Sequence, residues 1–173
     1  HRDLHSFPTR RSSDLVFIQY GAQDVRILDG GRVKWEAEGR ELALIPPAPA
    51  AGNFTVSGFR ADLRAFLPDV LDVVQNDLAV DLIDIRSAAE FEGTIFAPQG
   101  FQELAVRAGH IPGAVNVPWG RAVNEDGTFK SVEELRELYA SVGIDGSSPI
   151  IVYCRIGERA SHTWFVLSQI LGY

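Results

Sequence analysis

The apolar positions of the chain follow two rhythms. Short, almost unbroken apolar runs recur at residues 80–85 (VDLIDI), 113–119 (GAVNVPW) and 149–153 (PIIVY), the pattern of strands covered on both faces of a parallel sheet. Helical spacing fills the intervals. Residues 131–143 (SVEELRELYASVG) open on a Ser131-x-x-Glu134 capping box, keep Val132, Leu135, Leu138 and Tyr139 on one face, and stop at Gly143. Pro68 suits the first turn of a helix, PDVLDVVQN, with a short strand, LRAF (63–66), before it. Residues 161–172 (SHTWFVLSQILG) are apolar nearly all round, which predicts a covered helix. Strands alternating with helices predict an α/β domain with a mostly parallel central sheet flanked by helices.

The stretch before this domain has a different organisation. Residues 16–21 (VFIQYG) read as the end of a buried helix, with Gly21 near its close. Residues 24–28 (DVRIL) alternate like a short strand, and 32–39 (RVKWEAEG) read as a short helix closed by Gly39. PPAPAAGN (46–53) has the composition of an exposed connector. The division expected is therefore a domain tail at 16–45, a linker at 46–58 and a second domain at 59–173. Residues 1–15 stand apart: SFPTRRSSDL (6–15) resembles the in-frame translation of a short-read sequencing adapter, and the segment is expected to be unstructured.

Composition narrows the function classes. An apolar share of 46% describes a globular protein, and a net charge of -7 disfavours nucleic acid or an anionic membrane as the main partner. No apolar run reaches the length needed to cross a bilayer. A single cysteine makes no internal disulfide, so the fold needs no oxidising compartment and a cytoplasmic location is expected.

That cysteine, Cys154, falls at the end of the third apolar run, in VYCRIGERASHTWF. A loop leading from a strand into a helix turns backbone N–H groups inward, and the helix dipole adds positive potential. Arg155 and Arg159 flank Gly157 in the same loop, so Cys154 is expected to ionise readily and to act as a nucleophile over an anion pocket. The alternatives are a small buried core cysteine and surface arginines paired with Glu158. A phosphate pocket of the Cys-x5-Arg kind needs arginine where the chain has Ala160; Arg159 comes one residue earlier and closes a tighter ring. This disfavours a cysteine phosphatase or arsenate reductase.

YCRIGERASHTWFVL, together with DLIDIRS (81–87), GHIPGAVNVPW (109–119) and NEDGTFKS (124–131), resembles the catalytic domain of tandem-domain rhodaneses of the actinobacterial thiosulfate sulfurtransferase type. VRILDGGRVKWEAEGREL (25–42) resembles the end of that family's first, non-catalytic domain, so 16–45 would be its remnant. The resemblance implies a rhodanese-like fold and a two-step reaction. Cys154 takes the outer sulfur of thiosulfate, or of another small sulfur donor, as a persulfide and releases sulfite. The sulfur then passes to cyanide or a thiol acceptor. No metal or organic cofactor is implied. Arg155, Ile156, Gly157, Glu158 and Arg159 would form the substrate-binding loop. Asp84 and Arg86 match the family's D-x-R and would brace it. His110 and His162 would be structural.

One position departs from the family pattern: many members carry a substrate-binding arginine where this chain has Glu90, which shifts anion binding onto Arg155, Arg159 and the loop amides. The charged loop favours thiosulfate over 3-mercaptopyruvate, whose specific enzymes carry a small neutral loop. A non-catalytic, persulfide-carrying module is the other alternative. The family's catalytic domain continues past the last helix with a further strand, turn and helix. Residues 25–39 are accordingly expected to occupy that place beside strand 149–153, as a circularly permuted substitute.

Overall fold

A computed structural model describes residues 12–43, 48, 50–98 and 107–173. Among the described residues, three parallel strands form the sheet: β1 (Asp81–Asp84), β2 (Val115–Asn116) and β3 (Ile150–Tyr153), in the order β2-β1-β3. Ile83 of the central strand lies opposite Val115 on one side and Val152 on the other. The helices are α1 (Ser12–Gln19), α2 (Gly31–Ala37), α3 (Leu67–Gln75), α4 (Ala88–Glu92), α5 (Val132–Ala140) and α6 (Glu158–Phe165). This is the α/β architecture expected from the apolar runs.

Side-chain alternation along β1 sorts the core into two layers. Ile83 and Ile85 enter the larger cluster with Val117, Leu135, Leu138 and Val166, beneath α5 and the end of α6. Leu82 points the other way, to Val73 of α3 and Ala114. The Ser131 capping box forms as the sequence predicts: the Ser131 hydroxyl accepts the Glu134 N–H at 3.3 Å, and the Glu134 carboxylate takes the Ser131 N–H at 3.0 Å. No helix among the described residues is long and apolar enough to cross a membrane.

Several expectations move. Residues 24–28 form no strand, and of the expected strand 63–66, Leu63 closes a short 3₁₀ turn (Ala61–Leu63) while 64–66 are irregular. The last helix starts three residues before the expected Ser161, at Glu158, and runs into a π-type turn over Val166–Ile170. The expected unstructured segment also shortens, since residues 12–15 form the first turn of α1; residues 1–11, and Pro46, Pro47 and Pro49 of the connector, lie outside the described residues.

The upstream segment packs on the domain by side-chain and backbone grips rather than by joining the sheet. The Asp29 carboxylate accepts the Phe129 N–H at 2.9 Å, Lys34 pairs with Asp126 at 2.6 Å, and α1 lies against α6. Gly127, at a left-handed φ of 81°, lies against the Gly30 carbonyl in this contact. These contacts fix the segment on the 126–129 turn, so the expected strand beside β3 is corrected: the described sheet has no fourth member.

Leu135 is fully buried where α5 meets the sheet. Leu135→Ala removes most of its side chain from a close-packed site and should cost about 2–5 kcal/mol of stability. A urea titration should show the midpoint falling with the slope unchanged.

Candidate active site

β3 ends at Tyr153, which puts Cys154 at the carboxyl edge of the parallel sheet, where ligands of such sheets bind. The chain then turns within three residues into α6. Gly157 permits this by adopting a left-handed φ of 85° at the helix N-cap, a conformation other residues rarely take. Its N–H is thereby aimed back at the cysteine and donates to Cys154 Sγ at 3.1 Å. Cys154 and Arg155 are half-buried, whereas Ile156 at the tip of the loop is 67% exposed. Glu158 is half-buried, and its carbonyl accepts the Ser161 hydroxyl at 2.8 Å.

Arg159, on the first turn of α6, reaches away from its sequence neighbours. Its Nη1 and Nη2 donate to the two carboxylate oxygens of Glu90 at 3.0 and 2.8 Å, a bidentate pair with side-chain exposures of 11% and 0%. Arg159 also interacts with Cys154. The acidic partner of Arg159 is thus Glu90, 69 residues upstream.

Glu90 is held in turn by the start of α4. Ser87 caps that helix and gives the Glu90 carboxylate both its N–H (3.0 Å) and its hydroxyl (2.9 Å). Burial works against the charge of Glu90, but the bonds from Arg159 and Ser87 outweigh it and lower its pKa to about 2. For Arg159, burial again opposes the charge; the hydrogen bonds and charge of Glu90, followed by the neighbouring Cys154, hold it above the ordinary arginine value.

Asp84 and Arg86 form a second buried pair at the end of β1. Arg86 Nη2 donates to Asp84 Oδ2 and to the Gly109 carbonyl, both at 2.6 Å, while Asn116 Nδ2 bonds the carbonyls of Asp84 and Arg86. These bonds tie β1 to β2 and to the turn before it. Their route to the cysteine loop runs through Tyr153, whose ring lies 5.9 Å from the Arg86 guanidinium carbon and whose hydroxyl accepts the Ile111 N–H at 3.1 Å. Burial, the largest influence on that phenol, raises its pKa to about 12. His110 stacks on Phe91 with ring centroids 3.6 Å apart and bonds the Phe91 carbonyl through Nδ1. His162 is buried between Trp119 and Phe129.

The structure therefore brings the Gly157 N–H onto Cys154, turns Arg159 to Glu90 with the cysteine among its electrostatic neighbours, and keeps Asp84 and Arg86 as a separate pair at the end of β1. The role of Glu90 is not apparent from its sequence neighbours, because its partner lies 69 residues downstream. Its partnership with Arg159 was foreshadowed by Ser87-x-x-Glu90, a second capping box that fixes the carboxylate over the end of β1.

Residues 67–173 match the model of the rhodanese-like domain, and the chain belongs to that family. It is 52% identical over 158 residues, 91% of its length, to a Saccharopolyspora erythraea protein named "Putative thiosulfate sulfurtransferase". It is 48% identical over 161 residues, again 91% of its length, to the sulfur carrier protein TtuD of Thermus thermophilus. The chain spans about half the length of these relatives, 55% and 56%. Among solved structures it is similar to SseA of Escherichia coli, described among 3-mercaptopyruvate sulfotransferases. The TM-score is 0.76 at 29% identity, over 94% of this chain and 57% of that one.

The low pKa of Glu90 has a signed consequence for stability. A carboxyl whose folded pKa lies below its unfolded value stabilises the fold above the unfolded value, and that contribution disappears as the pH falls through the folded one. Between pH 5 and pH 2 the Glu90–Arg159 pair should progressively stop contributing. Urea midpoints measured across this range should fall more steeply for the native chain than for Glu90→Gln, which has no carboxyl to protonate at this position.

Proposed function

We propose that the chain carries the sulfur-transfer site of a thiosulfate sulfurtransferase. Cys154, as thiolate, attacks the outer sulfur of thiosulfate; the S–S bond to the sulfonate sulfur breaks, sulfite leaves with the bonding pair, and a persulfide remains on Cys154. Cyanide or a thiolate then takes the terminal sulfur and returns the thiolate. The observation that carries this reading is the Gly157 N–H directed at Cys154 Sγ at 3.1 Å, at the mouth of the sheet. A donor so placed stabilises negative charge on the sulfur before and after transfer. Arg155 and the loop from Ile156 to Glu158 would receive the sulfonate, with Arg159 alongside Cys154 and Asp84 with Arg86 supporting the edge of the sheet on which the loop stands.

Support comes also from the 52% identity to a relative of that name. The likeness to TtuD favours a second reading with the same intermediate, in which the persulfide is handed to a dedicated acceptor. The relatives' alignment covers 158 residues and so extends beyond the matched span of 67–173. In our reading residues 16–45 are the end of a preceding rhodanese unit, and 59–173 the catalytic one.

Mass spectrometry after incubation with thiosulfate should show the chain gaining one sulfur atom, lost again on adding cyanide. Cys154→Ser should gain none, and its thiosulfate:cyanide activity should fall to background. A native chain that is folded yet takes up no sulfur refutes the assignment. Uptake followed by slow release to cyanide and fast release to a protein thiol selects the carrier reading.

A further inference from the structure

Val123 and Phe129 pair antiparallel at the base of a tight turn, where Asn124 N–H bonds the Thr128 carbonyl (2.8 Å) and Lys130 N–H the Ala122 carbonyl (3.1 Å). Those two bonds bracket the pair, so the N–H of Phe129 itself turns out of the hairpin. The Asp29 carboxylate meets that N–H at 2.9 Å, from 100 residues upstream. The ring of Phe129 faces α6: it lies 5.1 Å from the His162 ring and stacks at 5.7 Å on Phe165. His162 is fully buried, with the Trp119 ring set edgewise at 5.5 Å. α1, at the other end of the upstream arm, also lies against α6. All of these contacts bear on the helix whose N-cap, Gly157, donates to Cys154.

We infer that Asp29 is a positioning residue for Cys154: it holds Phe129 by the backbone, Phe129 seats α6 through His162 and Phe165, and α6 keeps the Gly157 N–H on the sulfur. The inference rests on the reading of Cys154 as the reacting sulfur. A close-packed ring fixed from its own backbone cannot slide along the helix it covers, and dense packing passes a displacement on instead of absorbing it. The distance to be bridged is short. α6 has eight residues, and Ser161, next to His162, bonds the Gly157 carbonyl through its N–H at 3.3 Å. Asp29 lies outside the span 67–173 matched to the rhodanese-like domain, so the arm serves a site that it does not touch.

The test follows alkylation of Cys154 by iodoacetamide at pH 7 in the native chain, Asp29→Ala and Asp29→Asn. Iodoacetamide reacts with the thiolate, the form that the Gly157 N–H stabilises. Asp29→Ala should slow the reaction about threefold to tenfold, because a hydrogen bond to a charged acceptor contributes about tenfold or more and is here loosened instead of deleted. Asp29→Asn still offers an oxygen to the Phe129 N–H and should stay within about twofold of the native rate, as the acceptor and not the charge is what matters. In thiosulfate:cyanide turnover the loss should fall on kcat and leave KM unchanged. A merely structural role would lower the urea midpoint of Asp29→Ala without slowing alkylation. An unchanged or faster rate in the folded variant, or a loss in Asp29→Asn equal to that in Asp29→Ala, overturns the inference.

If Asp29→Ala does not fold, Phe129→Leu decides the matter. It keeps an apolar side chain and the backbone bond to Asp29 but removes the ring from His162 and Phe165. The same slowing is expected, and a native alkylation rate overturns the inference. Where both variants fold, their combination should be no slower than Phe129→Leu alone, since residues acting along one route are not additive. Additive losses mean separate routes and overturn it too. Alkylation reads the cysteine whether or not the chain accepts sulfur. A native chain that is alkylated yet takes no sulfur from thiosulfate therefore refutes the sulfurtransferase reading, while the alkylation rates still decide the role of Asp29.

Discussion

The ion pair between Glu90 and Arg159 is the constraint on which the rest of the site depends. Two charges taken out of water stabilise nothing unless each is well bonded, and removing one partner strands the other at a cost of about 3–5 kcal/mol. Here every requirement is met locally. Ser87 presents an N–H and a hydroxyl to the carboxylate because it caps α4, and Arg159 presents both Nη groups because it stands on the first turn of α6. The pair thereby joins the segment after β1 to the segment after β3, the two edges between which the cysteine loop opens.

The sheet supplies the platform for that junction. Parallel strands end in register, so the segments that follow β1 and β3 emerge side by side: Asp84 lies opposite Tyr153, one residue before Cys154. Cys154 inherits its place from this register, and Gly157 with its left-handed backbone reverses the chain soon enough for an N–H to return to the sulfur. Asp84 and Arg86 act at the same level, holding the Gly109 turn and flanking Tyr153. The helices contribute chiefly by covering the two faces of the sheet, with Ile83 and Leu82 facing opposite layers.

Much of this was legible in the residues. Runs such as VDLIDI and PIIVY announce buried strands because both faces are covered, and Ser131 with Glu134 announces a helix start because the bonds involved are local. The tight turn of the loop was legible through Gly157, whose N–H returns to Cys154. What escaped was set by contacts over long separations. DVRIL has the alternation of a strand, yet a strand needs a neighbour, and Asp29 and Lys34 draw that stretch onto the 126–129 turn instead. Glu90 looked like an absence because its partner lies 69 residues away. Glu158 and Arg159 have the composition of loop charges, although the turn at Gly157 already makes them helical.

The grip of Asp29 on the Phe129 backbone closes 100 residues of chain. Bringing such distant points together costs configurational freedom that is recovered only when the contact is complete, so encounters of this span lag behind local ones during folding. The capped α5 closes on bonds three residues apart, whereas α2 has nothing to hold until the 126–129 turn exists. In refolding, the upstream arm would then be the late arrival, and its detachment in native-state opening would uncover the 126–129 turn.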